Sequence, residues 1–246
     1  MGINLHQDLI NKNHEYWKRK PLLQSVYRDF YHLINQNLSG LPDSKIVELG
    51  SGLGNIHEVI PDCLRTDLFP YSWIDQIENA YQLSFENETV SDLILTDVFH
   101  HLQYPGTALK ELNRVLRRGG RVLLFEPCIS LLGLIVYGIF HVEPVALTKR
   151  IDWLAPDDWS ADKIIYYAAQ GNATRVFVNR KFRSGLGQWQ SIKTIRLSAF
   201  AYVASGGYSV TQLYPTAMLP ILKGLEKILD LAPILFSTRL LVILEK

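Results

Sequence analysis

The feature that most constrains the fold of this chain is a turn with three alternating glycines. Gly50, Gly52 and Gly54 follow the short apolar segment 45–49, which carries the carboxylate Glu48. Because glycine tolerates positive φ and has no Cβ, such a turn lets the backbone approach a ligand closely. Between a strand and a helix, the turn predicts a small polar ligand over the carboxyl end of the strand.

The spacing of the glycines distinguishes two kinds of nucleotide-type site. The dinucleotide fingerprint G-x-G-x-x-G would place its third glycine at position 55. Asn55 occupies that position, and the third glycine is Gly54. The turn therefore favours a doubly wound fold and argues against an ordinary NAD site.

Short apolar strands alternate with helical segments in the first half of the chain. We predict strands at 45–49, 63–66, 92–96 and 121–125, which we number as the first, second, fourth and fifth of the sheet. We also predict an amphipathic helix at 106–116. This alternation predicts an α/β fold with a doubly wound Rossmann-like sheet and helices on both faces. The sheet is expected to be mostly parallel, with an antiparallel terminal strand and an insertion after the fifth strand.

The length of 246 residues allows one large domain with added segments. The predicted parts of this single domain are an N-terminal helical cap at 1–42, a core at 43–127, an insertion or lid at 128–190, and strands and a helix that complete the sheet at 191–246. Within them we expect helical structure at 14–38 that Pro21 splits or starts, a short helix at 55–60, a strand at 191–203, a helix at 216–231 and a terminal strand at 238–245.

Charge and cysteine content exclude several classes of protein. The formal net charge of +1 gives no bulk attraction to nucleic acid. Cys63 and Cys128 are too few for a metal cluster or a disulfide framework, which favours a reducing, cytoplasmic compartment. The polar segment 1–20 has no apolar signal core.

One apolar segment, 127–142, contains no Asp, Glu, Lys or Arg. Spanning a bilayer takes ~20 apolar residues, so the segment is too short for a transmembrane helix. It predicts either a buried helix, an apolar wall over the active site, or a surface that makes peripheral contact with lipid.

Five segments match one family in their order and spacing. They are 47–54 (VELGSGLG), 66–67 (TD), 79–85 (NAYQLSF), 91–102 (SDLILTDVFHHL) and 115–120 (VLRRGG). Together they resemble class I S-adenosylmethionine-dependent methyltransferases, of the type 11-like group that includes small-molecule and quinone methyltransferases. The resemblance implies an enzyme with S-adenosylmethionine (SAM) as its cofactor.

The same resemblance assigns the cofactor contacts. The glycine turn would hold the methionine part of SAM, with Glu48 near its cationic amino group. Asp67 would accept both ribose hydroxyls, although it is also typical of a cap or turn residue. Asn79 and Ala80 would contact adenine, where the family commonly has Asp-Ala. The implied cofactor residues are Glu48, Gly50, Ser51, Gly52, Gly54, Asp67, Leu68, Asn79, Ala80, Asp97 and Val98.

Three residues near the same edge of the sheet are candidate catalytic groups. His100 and His101 follow Asp97 and are alternative general bases, since imidazole is partly neutral near pH 7. Glu126 follows the fifth strand and faces the same edge. Local packing or capping is the alternative for each histidine, and a cap or ion pair is the alternative for Glu126. We predict no metal, because the histidines lack a ligand spacing beyond the adjacent pair.

The implied reaction is an in-line attack by an acceptor oxygen, nitrogen or carbon on the sulfonium methyl group. Segments 141–144, 171–174 and 205–209 are similar to segments of bacterial methyltransferases of surface-glycan biosynthesis. This likeness implies a small-molecule acceptor, such as a sugar or a lipid-linked glycan intermediate. His141 and Tyr208 are the candidate acceptor-site residues.

A second pattern in the insertion has two interpretations. Its basic and aromatic residues either hold a sugar or an anionic glycolipid, or form a solvated basic face with a few core aromatics. They are Arg175, Arg180, Lys181, Arg183, Lys193 and Arg196, with Trp153, Trp159, Tyr166, Tyr167 and Trp189.

Two functions of other kinds stay open. One is a nicotinamide-dependent oxidoreductase, against which Asn55 counts, and the other is a non-catalytic Rossmann-like protein that binds a partner through residues 129–190. Nucleic acid is not an expected partner, because 96–99 read Thr-Asp-Val-Phe in place of the Asn-Pro-Pro-type element of many DNA and protein amide methyltransferases.

Overall fold

A computed structural model describes residues 3–139, 143–162, 166–179, 182–208 and 210–246. Within these residues a seven-stranded sheet has the order β3-β2-β1-β4-β5-β7-β6. The strands are β1 Ile46–Leu49, β2 Leu64–Asp67, β3 Gln76–Ile77, β4 Val90–Thr96, β5 Leu116–Pro127, β6 Ser191–Leu197 and β7 Arg239–Glu245. Strands β1 to β5 pair in parallel, and β7 is antiparallel to both β5 and β6. The predicted fold class, a mostly parallel doubly wound sheet with an antiparallel terminal strand, is confirmed, and β7 is that strand.

Helices surround the sheet. They are α1 Ile3–Arg19, α2 Pro21–Asn35, α3 Pro105–Val115, α4 Leu131–Ile139, α5 Phe200–Ala204, α6 Leu219–Leu229 and α7 Pro233–Phe236. Pro21 begins α2, where its missing N–H is no loss, because the first helical N–H groups have no intrahelical partner. The segment after the glycine turn forms a single 3₁₀ turn, Asn55–Glu58.

Each face of the sheet covers its own apolar core, because successive side chains of a strand point to opposite faces. On β4, Leu93 and Leu95 pack against α3 and the residues after α4, whereas Ile94 packs against α2. The α2 face buries aromatic side chains as well, among them Phe30 against Phe125 of β5, with ring centroids 4.7 Å apart. The two cores hold the sheet between helices on both faces, and so hold in place the strand ends that form its carboxyl edge.

The predicted strand at 191–203 is wrong beyond residue 197. The Ser198 N–H donates to the carboxylate of Asp230 at 2.7 Å, and Ala199 has a left-handed φ of 39°. These contacts turn the chain away from β7 and start α5, whose Ala201 N–H donates to Glu226 at 2.7 Å. The predicted helix at 216–231 forms as a 3₁₀ turn, Thr216–Met218, followed by α6.

The apolar segment 127–142 does not form a buried helix. In α4 only Gly133 and Tyr137 are buried, and Leu131, Ile135 and Ile139 are exposed. Among the described residues, no helix has both the length and the apolar character that crossing a membrane requires. Further exposed apolar side chains lie on α6, on α7 and in the turn between them. With those of α4 they are called the exposed apolar surface here, defined as Leu131, Ile135, Ile139, Ile221, Ile228, Leu231 and Ile234.

The described residues between 143 and 189 form a mostly irregular lid beside α3 and the turn after β4. Trp153 lies between Gly106 of α3 and Gly185, where an added Cβ would overlap its indole ring. The Ala169 N–H donates to the carbonyl of His100 at 3.0 Å. The lid is therefore attached directly to the segment that carries the candidate histidines.

Candidate active site

The glycine turn leaves β1 at the carboxyl edge of the sheet. Gly50, Gly52 and Gly54 have φ values of 70°, 53° and 69°, all in the left-handed region that favours glycine. A Cβ on Gly50 would lie 2.5 Å from Cγ2 of Val98, so only glycine allows β1 to pass this close to the turn after β4. The Ser51 N–H donates to the Thr66 carbonyl at 2.9 Å, which holds the turn against β2.

Glu48 is a buried carboxyl at the start of this turn, and only 2% of its surface is exposed. Its Oε2 atom has no hydrogen-bond partner among the described residues. Burial raises the pKa of Glu48 to about 8, while a hydrogen bond with Ser51 acts to lower it. A buried carboxyl oxygen without a hydrogen-bond partner favours a cation beside it, so this position fits the amino group of a methionine moiety.

Asp67 ends β2 and contacts the glycine turn. One carboxylate oxygen accepts the Gly52 N–H at 3.0 Å, and the other accepts the Phe69 N–H at 3.1 Å. Asp67 is thus a turn residue, as the alternative interpretation expected. Because each carboxylate oxygen has a further lone pair, the side chain keeps the capacity to accept ribose hydroxyls.

The expected adenine side has an exposed apolar edge. Leu68 follows β2 and is 36% exposed, and Ile77 of β3 is 57% exposed. Sequence analysis did not identify Ile77, because a two-residue strand has no recognisable pattern. The Asn79 side chain accepts the Tyr81 N–H at 3.0 Å and donates to the Ala161 carbonyl at 3.1 Å, so the adenine role of Asn79 and Ala80 stays a prediction.

Asp97, at the end of β4, pairs with a buried arginine. Its Oδ1 accepts from Nη1 of Arg239 at 2.7 Å, and the guanidinium lies 4.5 Å from the centre of the Phe125 ring. Nε and Nη2 of Arg239 have no hydrogen-bond partner within the described part of the chain. The sequence analysis placed Arg239 only near the start of the terminal strand. No local pattern indicated that its side chain would bind a residue 142 positions earlier.

Four tyrosines lie on the same side of the sheet as this ion pair. Tyr27 contacts Tyr31, Tyr202 and Tyr208, with ring centroids 5.6–5.9 Å apart. Burial raises the pKa of Tyr31, and the charges of Glu48 and nearby groups raise it further. Tyr208, an expected acceptor-site residue, thus lies in this tyrosine group, whereas His141 falls outside the residues that the structure describes.

His100, His101 and Glu126 do come together. Nδ1 of His100 lies 2.7 Å from Oε2 of Glu126, whose Oε1 accepts the N–H groups of Val98 and Phe99 at 2.8 and 2.7 Å. Glu126 therefore both caps this turn and pairs with the histidine. His100 is fully enclosed, and although burial lowers its pKa, Glu126 and Glu143 outweigh burial and raise it to about 10.

Glu143 is the residue of this cluster that sequence analysis missed. Its carboxylate lies 3.2 Å from Nε2 of His100 and 3.6 Å from Nε2 of His101. It also accepts from the Tyr166 hydroxyl at 2.7 Å and from Gln170 Nε2 at 2.6 Å. Glu143 stands two positions after His141, which was the expected acceptor-site residue. No local pattern indicates that the Glu143 side chain lies beside His100 and His101.

Three of the basic and aromatic residues of the insertion are packed inside the lid or the core. Arg175 is buried and donates to the carbonyls of Ala146 and Lys149. Trp153 stacks on Phe182 with ring centroids 4.9 Å apart, and Trp189 is buried in a core. These side chains hold the lid together. Arg180 and Lys181 lie outside the described residues.

The doubly wound sheet, with a glycine turn at its carboxyl edge, is typical of proteins that bind a nucleotide-containing cofactor. Residues 47–124, about a third of the chain, match the family model described as "Methyltransferase domain". The match indicates a SAM-dependent methyltransferase domain, and therefore an enzyme with SAM as its cofactor. No curated protein sequence matches the chain.

Solved structures agree on the fold. The chain is similar to a SAM-dependent methyltransferase from Thermotoga maritima, described as a possible histamine N-methyltransferase, with 12% identity, a TM-score of 0.50 and coverage of 92% of this chain and 98% of that one. It is also similar to a SAM-dependent methyltransferase from Archaeoglobus fulgidus, with 10% identity, a TM-score of 0.52 and coverage of 91% and 94%. At these identities the likeness extends to the fold alone.

Proposed function

We propose that this enzyme transfers the methyl group of SAM to a small-molecule acceptor that binds beside Asp97 and the tyrosine group. The observation that carries the proposal is the buried Oε2 atom of Glu48 at the start of the glycine turn, which has no hydrogen-bond partner among the described residues. A buried carboxyl without a partner is costly unless a cation reaches it, and the cofactor has such a cation in its amino group. When bound, SAM supplies an electrophilic methyl group on a sulfonium.

In this proposal the cofactor lies across the ends of β1, β2 and β4. Glu48 and the turn Gly50–Gly54 hold its amino-acid end, and Asp67 holds the ribose. Leu68, Asn79 and Ala80 surround the adenine, and Asp97 and Val98 face the sulfonium. The support for this arrangement is that these residues share the carboxyl edge of adjacent strands, where doubly wound folds bind ligands.

We propose a positioning role for His100, His101 and Glu126. A general base must be neutral, whereas two carboxylates hold His100 in its protonated form near pH 7. Glu126 instead fixes the turn that carries Val98, which contacts Gly50. Holding two reactants in line accounts for up to ~7–11 kcal/mol of barrier, so positioning alone is a sufficient contribution.

We favour a sugar or a lipid-linked glycan intermediate as the acceptor. The tyrosine group supports this choice, because tyrosine offers both a flat apolar ring and a hydroxyl for hydrogen bonds. The exposed apolar surface on α4, α6 and α7 supports the lipid link, since apolar patches of this kind are typical of membrane or protein contacts. The buried free thiols of Cys63 and Cys128 fit the expected cytoplasmic location.

Calorimetric titration tests the cofactor assignment. SAM is expected to bind the wild-type protein, and NADH is not. Asp67→Ala is expected to weaken SAM binding strongly, because the ribose acceptor is lost. The matched control is Glu58→Gln, a change in an exposed carboxylate that pairs with Arg28. Unchanged SAM affinity in Asp67→Ala would reject the ribose assignment, and NADH binding alone would reject the proposal.

Methyl-labelled SAM tests the acceptor class. Label should enter the lipid-extractable glycan fraction of cell extracts, and binding to phosphatidylcholine–phosphatidylglycerol vesicles should be lost in the double variant Ile228→Ser/Ile234→Ser. The control is Ile192→Ser, an exposed residue on β6 away from that surface. Label found only in water-soluble products, with no vesicle binding by wild type, would reject the lipid-linked acceptor.

A further inference from the structure

His100, His101 and Glu143 form a cluster in which the atoms that could bind a metal ion lie close together. One nitrogen of each histidine and one oxygen of Glu143 all lie within 4.8 Å of one another. The separations of 3.2 and 3.6 Å between the imidazole Nε2 atoms and the carboxylate are close to the ~3.3 Å between tetrahedral ligands that lie 2.0–2.1 Å from a metal. Small side-chain movements would complete such a geometry.

Both imidazoles are oriented in the way that metal-bound histidines are. Nδ1 of His100 lies 2.7 Å from the Glu126 carboxylate, and Nδ1 of His101 lies 2.8 Å from the Tyr167 carbonyl. Each Nδ1–H then donates to an oxygen, which leaves the Nε2 side of both rings directed at Glu143. A bound metal ion would displace the Nε2 proton of His100 and take its place. Metal-ligating histidines almost always have such an outer partner on the second nitrogen.

The amide of Gln170 gives a second, independent indication. It is 2% exposed, and its Oε1 atom has no hydrogen-bond partner among the described residues. Its Nε2 atom lies 3.2 Å from Nε2 of His100 and 2.6 Å from Glu143. Because the two ends of an amide are exchangeable by a rotation, Oε1 can occupy this position. There it would lie beside the Glu143 carboxylate, and a cation between the two oxygens would stabilise this arrangement.

We propose that His100 Nε2, His101 Nε2 and the Glu143 carboxylate bind a divalent first-row transition-metal ion, with the Gln170 amide oxygen as a further ligand. Two imidazoles with a carboxylate suit Zn²⁺, Co²⁺, Ni²⁺ or Fe²⁺, whereas Mg²⁺ and Ca²⁺ prefer oxygen ligands alone. This proposal differs from the expectation of no metal, which rested on the spacing of the histidines alone. The missing ligand came from the lid, 42 residues after His101.

The position of the site gives the ion a structural role. His100 and His101 belong to the turn after β4, whereas Glu143 and Gln170 belong to the lid. Residues 145 and 170 of the lid are paired in a β-bridge, and the Ala169 N–H already donates to His100. A bound ion would therefore fasten both ends of this part of the lid to the core, beside the turn that carries Val98.

The test is metal binding by the full chain after removal of metal with a chelator. Elemental analysis after incubation with Zn²⁺ or Co²⁺ and desalting should find one ion per chain, and Co²⁺ should show the visible absorption of a low-symmetry nitrogen and oxygen site. Glu143→Gln and His101→Ala should each weaken binding by ~100-fold or more, since the first replaces a charged carboxylate ligand by a neutral amide and the second removes a ligand. His57→Ala, a histidine outside the cluster, is the matched control.

Thermal denaturation supplies the second measurement. Zn²⁺ should raise the Tm of wild type and of His57→Ala but not of Glu143→Gln, whose amide is nearly isosteric with the carboxylate and preserves the fold. Substoichiometric metal in wild type, or equal binding in Glu143→Gln and wild type, would overturn the proposal. SAM titration of the same variants separates this result from the cofactor assignment, which does not involve Glu143.

Discussion

Glu48 combines a functional position with a cost in stability. Burial raises the pKa of this carboxyl from an ordinary 4.5 to about 8, with Asp67 raising it and with Ser51 and Arg65 acting to lower it. Between those two pH values the folded chain holds a proton that the unfolded chain releases. The free energy of unfolding therefore falls by about 1.4 kcal/mol per pH unit as the pH rises through this window. Below pH 4.5 the effect is absent.

Glu48→Gln is expected to separate stability from cofactor binding. Without SAM, the variant should have a higher Tm than wild type at pH 8 and a similar Tm at pH 4.5, because glutamine does not ionise. SAM affinity should fall by ~10- to 150-fold, the equivalent of the 1.5–3 kcal/mol of a charge-assisted hydrogen bond. Thermal melts from pH 4.5 to 8.5 and calorimetry measure the two effects. Parallel pH profiles for both proteins would contradict this account of Glu48.

The ion pair between Arg239 and Asp97 leads to a second prediction, which concerns the free energy of unfolding. Asp97→Asn would leave the guanidinium buried without a counter-charge, so the free energy of unfolding should fall by about 3–5 kcal/mol. Asparagine tolerates the left-handed φ of 58° at this position, which excludes backbone strain as the cause. Denaturant unfolding without SAM measures the loss.

The double variant Asp97→Asn/Arg239→Met provides the control for this pair. Methionine removes the buried charge, so the double variant should be more stable than Asp97→Asn alone. If the two single losses simply add, the ion pair is not the interaction that stabilises this edge of the sheet.

At the scale of elements, the lid depends on one aromatic side chain. Trp153 lies between two glycines and stacks on Phe182, and its carbonyl accepts the Gly106 N–H at 2.8 Å. Gly106→Ala is expected to displace the indole and expose the lid to limited proteolysis, although alanine is the better helix former. Once Trp153→Ala has removed the ring, adding Gly106→Ala should have little further effect.

Gly224 of α6 is the matched control for this prediction. A Cβ there would meet open space, so Gly224→Ala should stabilise the protein by about 0.4–1 kcal/mol and leave the lid protected. Equal proteolysis of the lid in Gly106→Ala and Gly224→Ala would show that Trp153 does not fasten it.

The elements that could be predicted from the sequence are those with local signals. Strands β1 and β4 are rich in Val, Ile and Leu, α3 has a helical period, and the glycine turn needs left-handed φ whatever surrounds it. Strand β3 and helix α5 depend on distant partners, such as Asp230 for the chain reversal at Ser198. Their positions are set by tertiary contacts that a local pattern does not contain.

The candidate site divides in the same way. Glu48, Asp67 and His100 stand next to strand ends, so the topology of a parallel sheet already brings them to one edge. Arg239 and Glu143 reach the site from the terminal strand and from the lid. Their sequence neighbourhoods are ordinary, and only the folded chain shows that they face Asp97 and the histidines.

At the scale of the whole molecule, the cofactor site joins three parts of the chain. The glycine turn belongs to the core, and Trp73 donates to the Gly52 carbonyl at 2.8 Å while its ring contacts His14 of α1. Tyr208, from the C-terminal part, contacts Trp17 of α1 and Tyr27 of α2. A ligand bound in the turn would therefore stabilise an arrangement that includes elements from both ends of the sequence.

Cofactor binding should accordingly stabilise the whole protein as one unit. A ligand present at 100 times its Kd and bound only to the folded state adds about 2.7 kcal/mol to the free energy of unfolding. For a chain of this size that corresponds to a rise in Tm of about 5–11 °C, from about 2–4 °C per kcal/mol. SAM and S-adenosylhomocysteine should both produce it, because they share the amino-acid and ribose groups, and NADH should not. The rise should be a single shifted transition and should disappear in Asp67→Ala. A split transition, in which only the core gains stability, would show that the N-terminal helices and the tyrosine group fold independently of the cofactor site.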